Sequence, residues 1–202
     1  KRTDRPVSCA TMVSGPSQPG VRERILAAAR RLFIDEGFRA VGIDRIIAEA
    51  GVAKMSLYRH FPSKDDLIVA HLEASNRQFW EWLEGAVADI DEPRARMVGI
   101  FAAVERLATS PACVGCTFQS AAAEFPERGH PGHQVAIAHK QAVIDRFTEL
   151  GRQADLDRPE DLAAALLLLM DGAWTAARVF GPVNPARGLE GAAAALIAAH
   201  ER

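Results

Sequence analysis

Between residues 53 and 64 the chain places Lys54, Ser56, Tyr58, Arg59, His60 and Lys64 in one short segment. Ammonium, guanidinium, imidazole, phenol and hydroxyl groups all donate hydrogen bonds. Clustered, they suit a polyanion, with cations on phosphates and shorter polar groups on base edges. Any one of them alone reads more simply as a solvated surface residue. A second group, Cys113-x-x-Cys116 with His130-x-x-His133, has the donor types that zinc prefers. Its spacing is poor, because two histidines around Pro131-Gly132 fall short of the usual separation, and buried thiols with loop or cap histidines are the simpler reading. A redox-responsive cysteine pair is a further alternative. Glu124, His130, His133, His139 and the cysteines could also be recruited for acid–base or nucleophilic work in an enzyme. Nothing in the spacing fixes such a geometry, so the expectation is a non-enzyme with no catalytic residue, no cofactor and no metal.

The elements that must position the basic cluster are short helices. Ile25, Leu26, Ala29, Leu32 and Phe33 recur at helical spacing from Val21, with Arg22, Arg24, Arg30 and Arg31 on the other face and Gly37 as the stop. Ile43, Ile46, Ile47 and Ala50 write a second helix that ends at Gly51. A third runs from about Ala53 to Phe61, with Leu57 and Phe61 inward and Lys54, Ser56, Arg59 and His60 outward, before Pro62. Two short helices about a glycine turn, backed by a longer first one, make a helix-turn-helix whose third helix is the reading element.

The run from Gly51 to Lys64, above all Leu57-Tyr58-x-His60-Phe61 followed by Ser63-Lys64, resembles the signature of the Tet repressor family. The resemblance reaches back through Phe33, Gly37-Phe38 and Ile43 and covers about residues 21 to 68. It implies a bacterial homodimeric transcriptional repressor that binds a palindromic operator in double-stranded DNA and is released by a small-molecule effector of unknown identity. It assigns Tyr58, His60 and Lys64 to backbone phosphates. Position at the start of the third helix adds Lys54 and Ser56 for base edges and Ala53 and Met55 for a thymine methyl, with Arg45 and Arg59 available for either role. Val41-Gly42 is a departure, since the family usually has hydroxyl residues there that cap the second helix and touch a phosphate.

Downstream, Ser63 and Asp66 write a capping box for a long fourth helix carrying Leu67, Ile68, Leu72, Phe79, Trp80 and Leu83. A fifth helix follows Asp91 and Pro93, a short sixth spans about Thr117 to Ala123, a seventh Gly132 to Ala154 and an eighth Glu160 to Phe180. The last follows Asn184-Pro185. The segment from Gly115 to Pro131 is similar to one found in a branch of the family's regulatory domains. The fold expected is all-α with about nine helices: an arm over residues 1–20, a three-helix DNA-binding domain over 21–66, and an effector-binding and dimerisation domain over 67–202. The apolar eighth helix and alanine-rich ninth could form the dimer interface. Trp80, Phe101, Phe118, Glu124, His139, Met170 and Trp174 are the candidates for an effector pocket. Asp171, a carboxylate inside the apolar eighth helix, either pairs across the dimer or faces the pocket.

Bulk composition fits this division. The 202 residues are 49% apolar with a formal net charge of −2. Residues 1–65 hold 12 Lys and Arg against 7 Asp and Glu, while residues 66–202 hold 12 against 19. A basic front on an acidic body presents one end to a polyanion. The strongly apolar run Leu162–Met170 falls short of a bilayer span. With three cysteines and no apolar leader, a cytoplasmic protein is expected, without a membrane partner.

Overall fold

The structure, a computed structural model, describes residues 20–201; the expected arm and Cys9 lie outside the described residues. Among the described residues there are nine helices and no strand: α1 (Val21–Glu36), α2 (Ile43–Ala50), α3 (Lys54–His60), α4 (Lys64–Ala86), α5 (Pro93–Ala108), α6 (Thr117–Glu124), α7 (Pro131–Gln153), α8 (Pro159–Phe180) and α9 (Leu189–Ala198). The starts are written locally. Ser63 Oγ accepts from Asp66 N–H at 3.1 Å while Asp66 Oδ2 accepts from Ser63 N–H at 2.9 Å, the reciprocal cap read from the sequence. Proline opens α5, α7 and α8, where its missing N–H costs nothing. The last helix begins later than Asn184-Pro185. Asn184 is buried, bonding the Ala108 carbonyl at 2.8 Å and Ala186 N–H at 2.8 Å, and so holds a turn before α9. Glu105 of α5 then accepts from Glu190 N–H at 3.0 Å. That bond holds the Glu105 carboxyl below its usual range and seats the start of α9 on α5.

Two hydrophobic cores form. One joins α4, α5, α7, α8 and α9 around Leu83, Phe101, Phe147, Leu166, Met170 and Trp174. Phe101 and Phe147 stack at 5.5 Å. The other joins α1, α2, α3 and the first half of α4, but it is closed by Phe118, Ala121 and Phe125 of the α6 region and by Ala136 of α7. Leu67, Ile68 and Leu72 belong to it, so the packing does not change at residue 66. Phe101 and Met170, expected in a pocket, are instead 0% and 1% exposed in the first core. Phe101 is turned onto Phe147 of α7, and Met170 lies in the same core.

By length and composition α8 could cross a membrane. It runs through the first core instead, burying Leu162, Ala163, Leu166, Met170, Ala173 and Trp174. Its other face is apolar and open: Leu168 and Val179 are 73% and 67% exposed.

Phe101→Ala removes a ring stacked on Phe147 without touching the cavity described next. Urea unfolding of this variant is expected to lose about 3–5 kcal/mol; a change within 1 kcal/mol, roughly the scatter of surface substitutions, would contradict the packing.

Candidate nucleic-acid interface and adjoining cavity

The turn between α2 and α3 is made by Gly51, at φ 61° and ψ 45°, a conformation that disfavours any side chain. Val52 N–H bonds the Ile47 carbonyl at 3.3 Å and closes the turn. Leu57 and Phe61, 0% and 2% exposed, then pin α3 to the head. This leaves Lys54, Met55, Tyr58, Arg59 and His60 outward, with Met55 74% exposed. Ala53 is exposed at the helix start and Ser56 is half-buried. Lys54 pairs with Asp44 at 3.2 Å and Arg45 with Glu36 at 3.8 Å. All four side chains are largely exposed, so these pairs are weak and easily exchanged for a phosphate. At the start of α2, Val41 is buried and Gly42 offers no side-chain cap. Only its carbonyl serves, accepting from Arg45 N–H at 3.1 Å.

Lys64 sits differently from the rest of the cluster. Its Nζ donates to the Arg39 carbonyl at 3.3 Å. Burial pulls its ammonium below the usual range, against the carboxylates of Glu124 and Asp65. Glu124 itself, the last residue of α6, accepts Phe38 N–H at 3.0 Å and Arg39 N–H at 2.7 Å. These N–H groups lie just after Gly37, whose φ of 88° turns the chain out of α1. A carboxylate from the body thus caps the first turn of the head.

Glu124 also lines a cavity of about 300 Å³. Its walls come from α1, α4, the loop before α6, α6 itself, α7 and α8. Of the seven pocket residues expected from sequence, Phe118, Glu124, His139 and Trp174 meet here. Trp80 does not. It packs against the first core, with its ring 5.3 Å from Phe79. The stripe of α4 that faces the cavity is His71, Ser75, Gln78, Phe79 and Trp82, one position off in helical phase. That stripe follows helical spacing and was available in the sequence. The contribution of α1, through Arg30, Phe33 and Ile34, was not, because it depends on α1 lying against α4.

Two buried histidines face this space. His139 Nδ1 lies 2.7 Å from Asn76 Oδ1, which places the proton on Nδ1, and its ring stacks on Phe118 at 3.7 Å. Burial, then the charge of Lys140, lowers it to about 3. His71 Nε2 lies 3.3 Å from Thr117 Oγ1, and burial, then Arg30, lowers it to about 4. Both are neutral near pH 7. Lys140 is neutralised by Asp171, so that carboxylate pairs within its own chain, from α8 to α7, and its backbone carbonyl accepts from Gln119 at 3.2 Å.

Cys113 and Cys116 are free thiols on the cavity wall. The histidines once grouped with them lie elsewhere. His130 stacks on Phe125 at 3.9 Å, and its Nδ1 accepts from Gly132 N–H at 3.1 Å to cap α7. His133 Nδ1 donates to the Phe125 carbonyl at 2.6 Å. No cluster of three or more His, Cys, Asp or Glu among the described residues is arranged to hold a metal ion.

The family model for bacterial regulatory proteins of the tetR family matches residues 25–71, the span from α1 to the first two turns of α4. Over most of its length the chain is similar to the solved structure of SCO4454, a TetR-family transcriptional regulator from Streptomyces coelicolor. Identity is 33% over 90% of this chain and 96% of that one, with a TM-score of 0.84. The chain belongs to the Tet repressor family. A Streptomyces avermitilis transcriptional regulator of the same type, sav143, gives 30% identity over 90% and 98% of the two chains and a TM-score of 0.80. Among curated proteins, the Escherichia coli HTH-type transcriptional regulator YjdC is 24% identical over 75% of this chain and 80% of its own. As a Tet repressor family member the protein is a DNA-binding transcriptional regulator, with the helix-turn-helix at its N-terminal side and a helical body behind it.

The neutral histidines make stability depend on pH. The unfolded chain binds their protons below about 6.5 and the folded chain only near 4 and 3, so stability is full above pH 6.5 and falls as pH drops toward those values. Urea midpoints measured from pH 7.5 to 4.5 are expected to decline by a few kcal/mol in free energy. His139→Gln is expected to flatten part of that slope; an unchanged slope would contradict the burial of a neutral ring.

Proposed function

We propose that the protein is a repressor that holds a palindromic operator with two copies of α3 and releases it when a small molecule enters the cavity. The observation that carries this reading is Glu124, which lines the cavity and at the same time caps the head at Phe38 and Arg39. A ligand that draws on Glu124 or shifts α6 acts directly on the orientation of the head, and the populations of binding and non-binding arrangements shift accordingly. In this reading residues 21–66 form the DNA-binding unit and residues 67–202 the effector-binding and dimerisation unit, in the cytoplasm. The dimer forms through α8 and α9. Leu168 and Val179 on α8 supply exposed apolar area, while Ala192 and Ala195 on α9, with Ala199 just past its end, allow close approach. Twofold symmetry would set the two α3 helices about 34–36 Å apart, one turn of duplex.

The DNA contacts divide by position. Tyr58, His60 and Lys64 take backbone phosphates; Lys54 and Ser56 take base edges; Ala53 and Met55 meet thymine methyls; Arg45 and Arg59 serve either role. Met55, Tyr58, Arg59 and His60 are supported by their exposure on the outer face of α3. Lys64, anchored on Arg39, supports both register and the cap.

Selection of bound duplexes from a random pool tests the reading as a whole, with an inverted repeat as the expected product and no enrichment as the contrary result. On the selected duplex, Lys64→Ala is expected to weaken binding about equally across sequences, and Lys54→Ala to change preference at particular base pairs. Equal loss on all sequences from both would refute the division. Glu124→Gln keeps one acceptor and loses the charge, and fluorescence anisotropy is expected to show operator affinity reduced several-fold with the dimer intact. Unchanged affinity would separate Glu124 from the head.

A further inference from the structure

Resting on the cavity as the effector site, we propose that its ligand is a small organic anion, an apolar and preferably aromatic body carrying one carboxylate bound by the guanidinium of Arg30. The walls define the body. Phe33, Phe38, Phe79, Phe118, Trp82 and Trp174 line the space. Its volume of about 300 Å³ lies at the small end for ligand sites, enough for one or two rings.

The charges define the head group. A recess of about 220 Å³ between α1 and α4 shares Arg30, His71, Ser75 and Gln78 with the cavity, and we take this shared edge as the way in. Arg30 is exposed there, and its guanidinium makes no hydrogen bond or ion pair with any described residue. Its charge still reaches inward, because it adds to burial in lowering His71. The carboxylates that line the two spaces are occupied: Glu124 by Phe38 and Arg39 N–H, and Glu23 by Gly20 N–H. Arg178 lines the far side, also cationic, but it already donates to the Val114 carbonyl at 3.2 Å. An organic cation would meet two guanidiniums and carboxylates whose oxygens already accept backbone N–H groups, and a neutral ligand would leave Arg30 as it is. A carboxylate completes the fork geometry of Arg30. A ligand so held touches α1 of the head and α4 and α6 of the body together.

Calorimetric titration of the full-length protein with 2-naphthoate, its neutral isostere 2-naphthamide and 2-naphthylmethylammonium tests the proposal. The acid is expected to bind about tenfold more tightly than the amide, and the ammonium most weakly. Arg30→Gln is expected to erase the advantage of the acid while leaving the amide unchanged, and Arg178→Gln to preserve that advantage. Ser75→Trp, which fills the entrance, is expected to abolish all binding. An amide that matches the acid, or an acid whose advantage survives Arg30→Gln, overturns the anion proposal and leaves the effector reading standing. Binding that survives Ser75→Trp lies outside the cavity and overturns the proposal too. Failure of all three probes to bind the unaltered protein counts against the anion and the effector site alike.

Discussion

Three short helices have too little apolar area to close a core of their own, and this shortage governs how the chain is assembled. The head of about forty residues draws Phe118, Ala121, Phe125 and Ala136 from the body to cover Phe33, Phe38 and Leu72. The Glu124 carboxylate completes the junction by satisfying two N–H groups at the turn after α1. A charge-assisted pair of this kind is directional where apolar packing is not. It sets one angle between head and body, and a DNA-reading helix needs that constraint more than it needs added stability.

The cavity sits at this junction, between the two cores. Its lining explains why burial and charge pull in the same direction there. His71 and His139 lose protons because aromatic rings exclude water around them, and Arg30 and Lys140 add to that loss. Lys140 is balanced by Asp171; the Arg30 side chain has no such partner among the described residues. Arg30, which helps hold His71 neutral, also lines the edge that the cavity shares with the recess between α1 and α4.

Much of this could be read from residue order because it was local. The helix starts at Ser63, Pro93 and Pro159, the glycine turn at Gly51 and the outward face of α3 each depend on residues within a few positions of one another. The absence of a hydroxyl cap at Gly42 was equally plain. The cavity was only half legible. Phe118, Glu124, His139 and Trp174 were found by chemical type, but Trp80 is out of helical phase with Phe79 and Trp82, the residues of that stretch that line the wall. Phe101 and Met170 were misplaced because apolar residues in a core and in a cavity wall look alike in sequence, and only packing separates them. The roles of Arg30 and of the Glu124 cap depend on residues 85 or more positions apart or on helix docking, which no local pattern encodes.

Phe33, Phe38 and Phe118 have two employments. Each is a member of the core that holds the head together, and each is also part of the cavity wall. Reshaping the chamber for a bulkier or slimmer guest therefore draws on the same side chains that keep the DNA-reading part folded. Ser75, Gln78 and Ser120 border the space without belonging to that core, so exchanges there alter the chamber while leaving the head's packing in place.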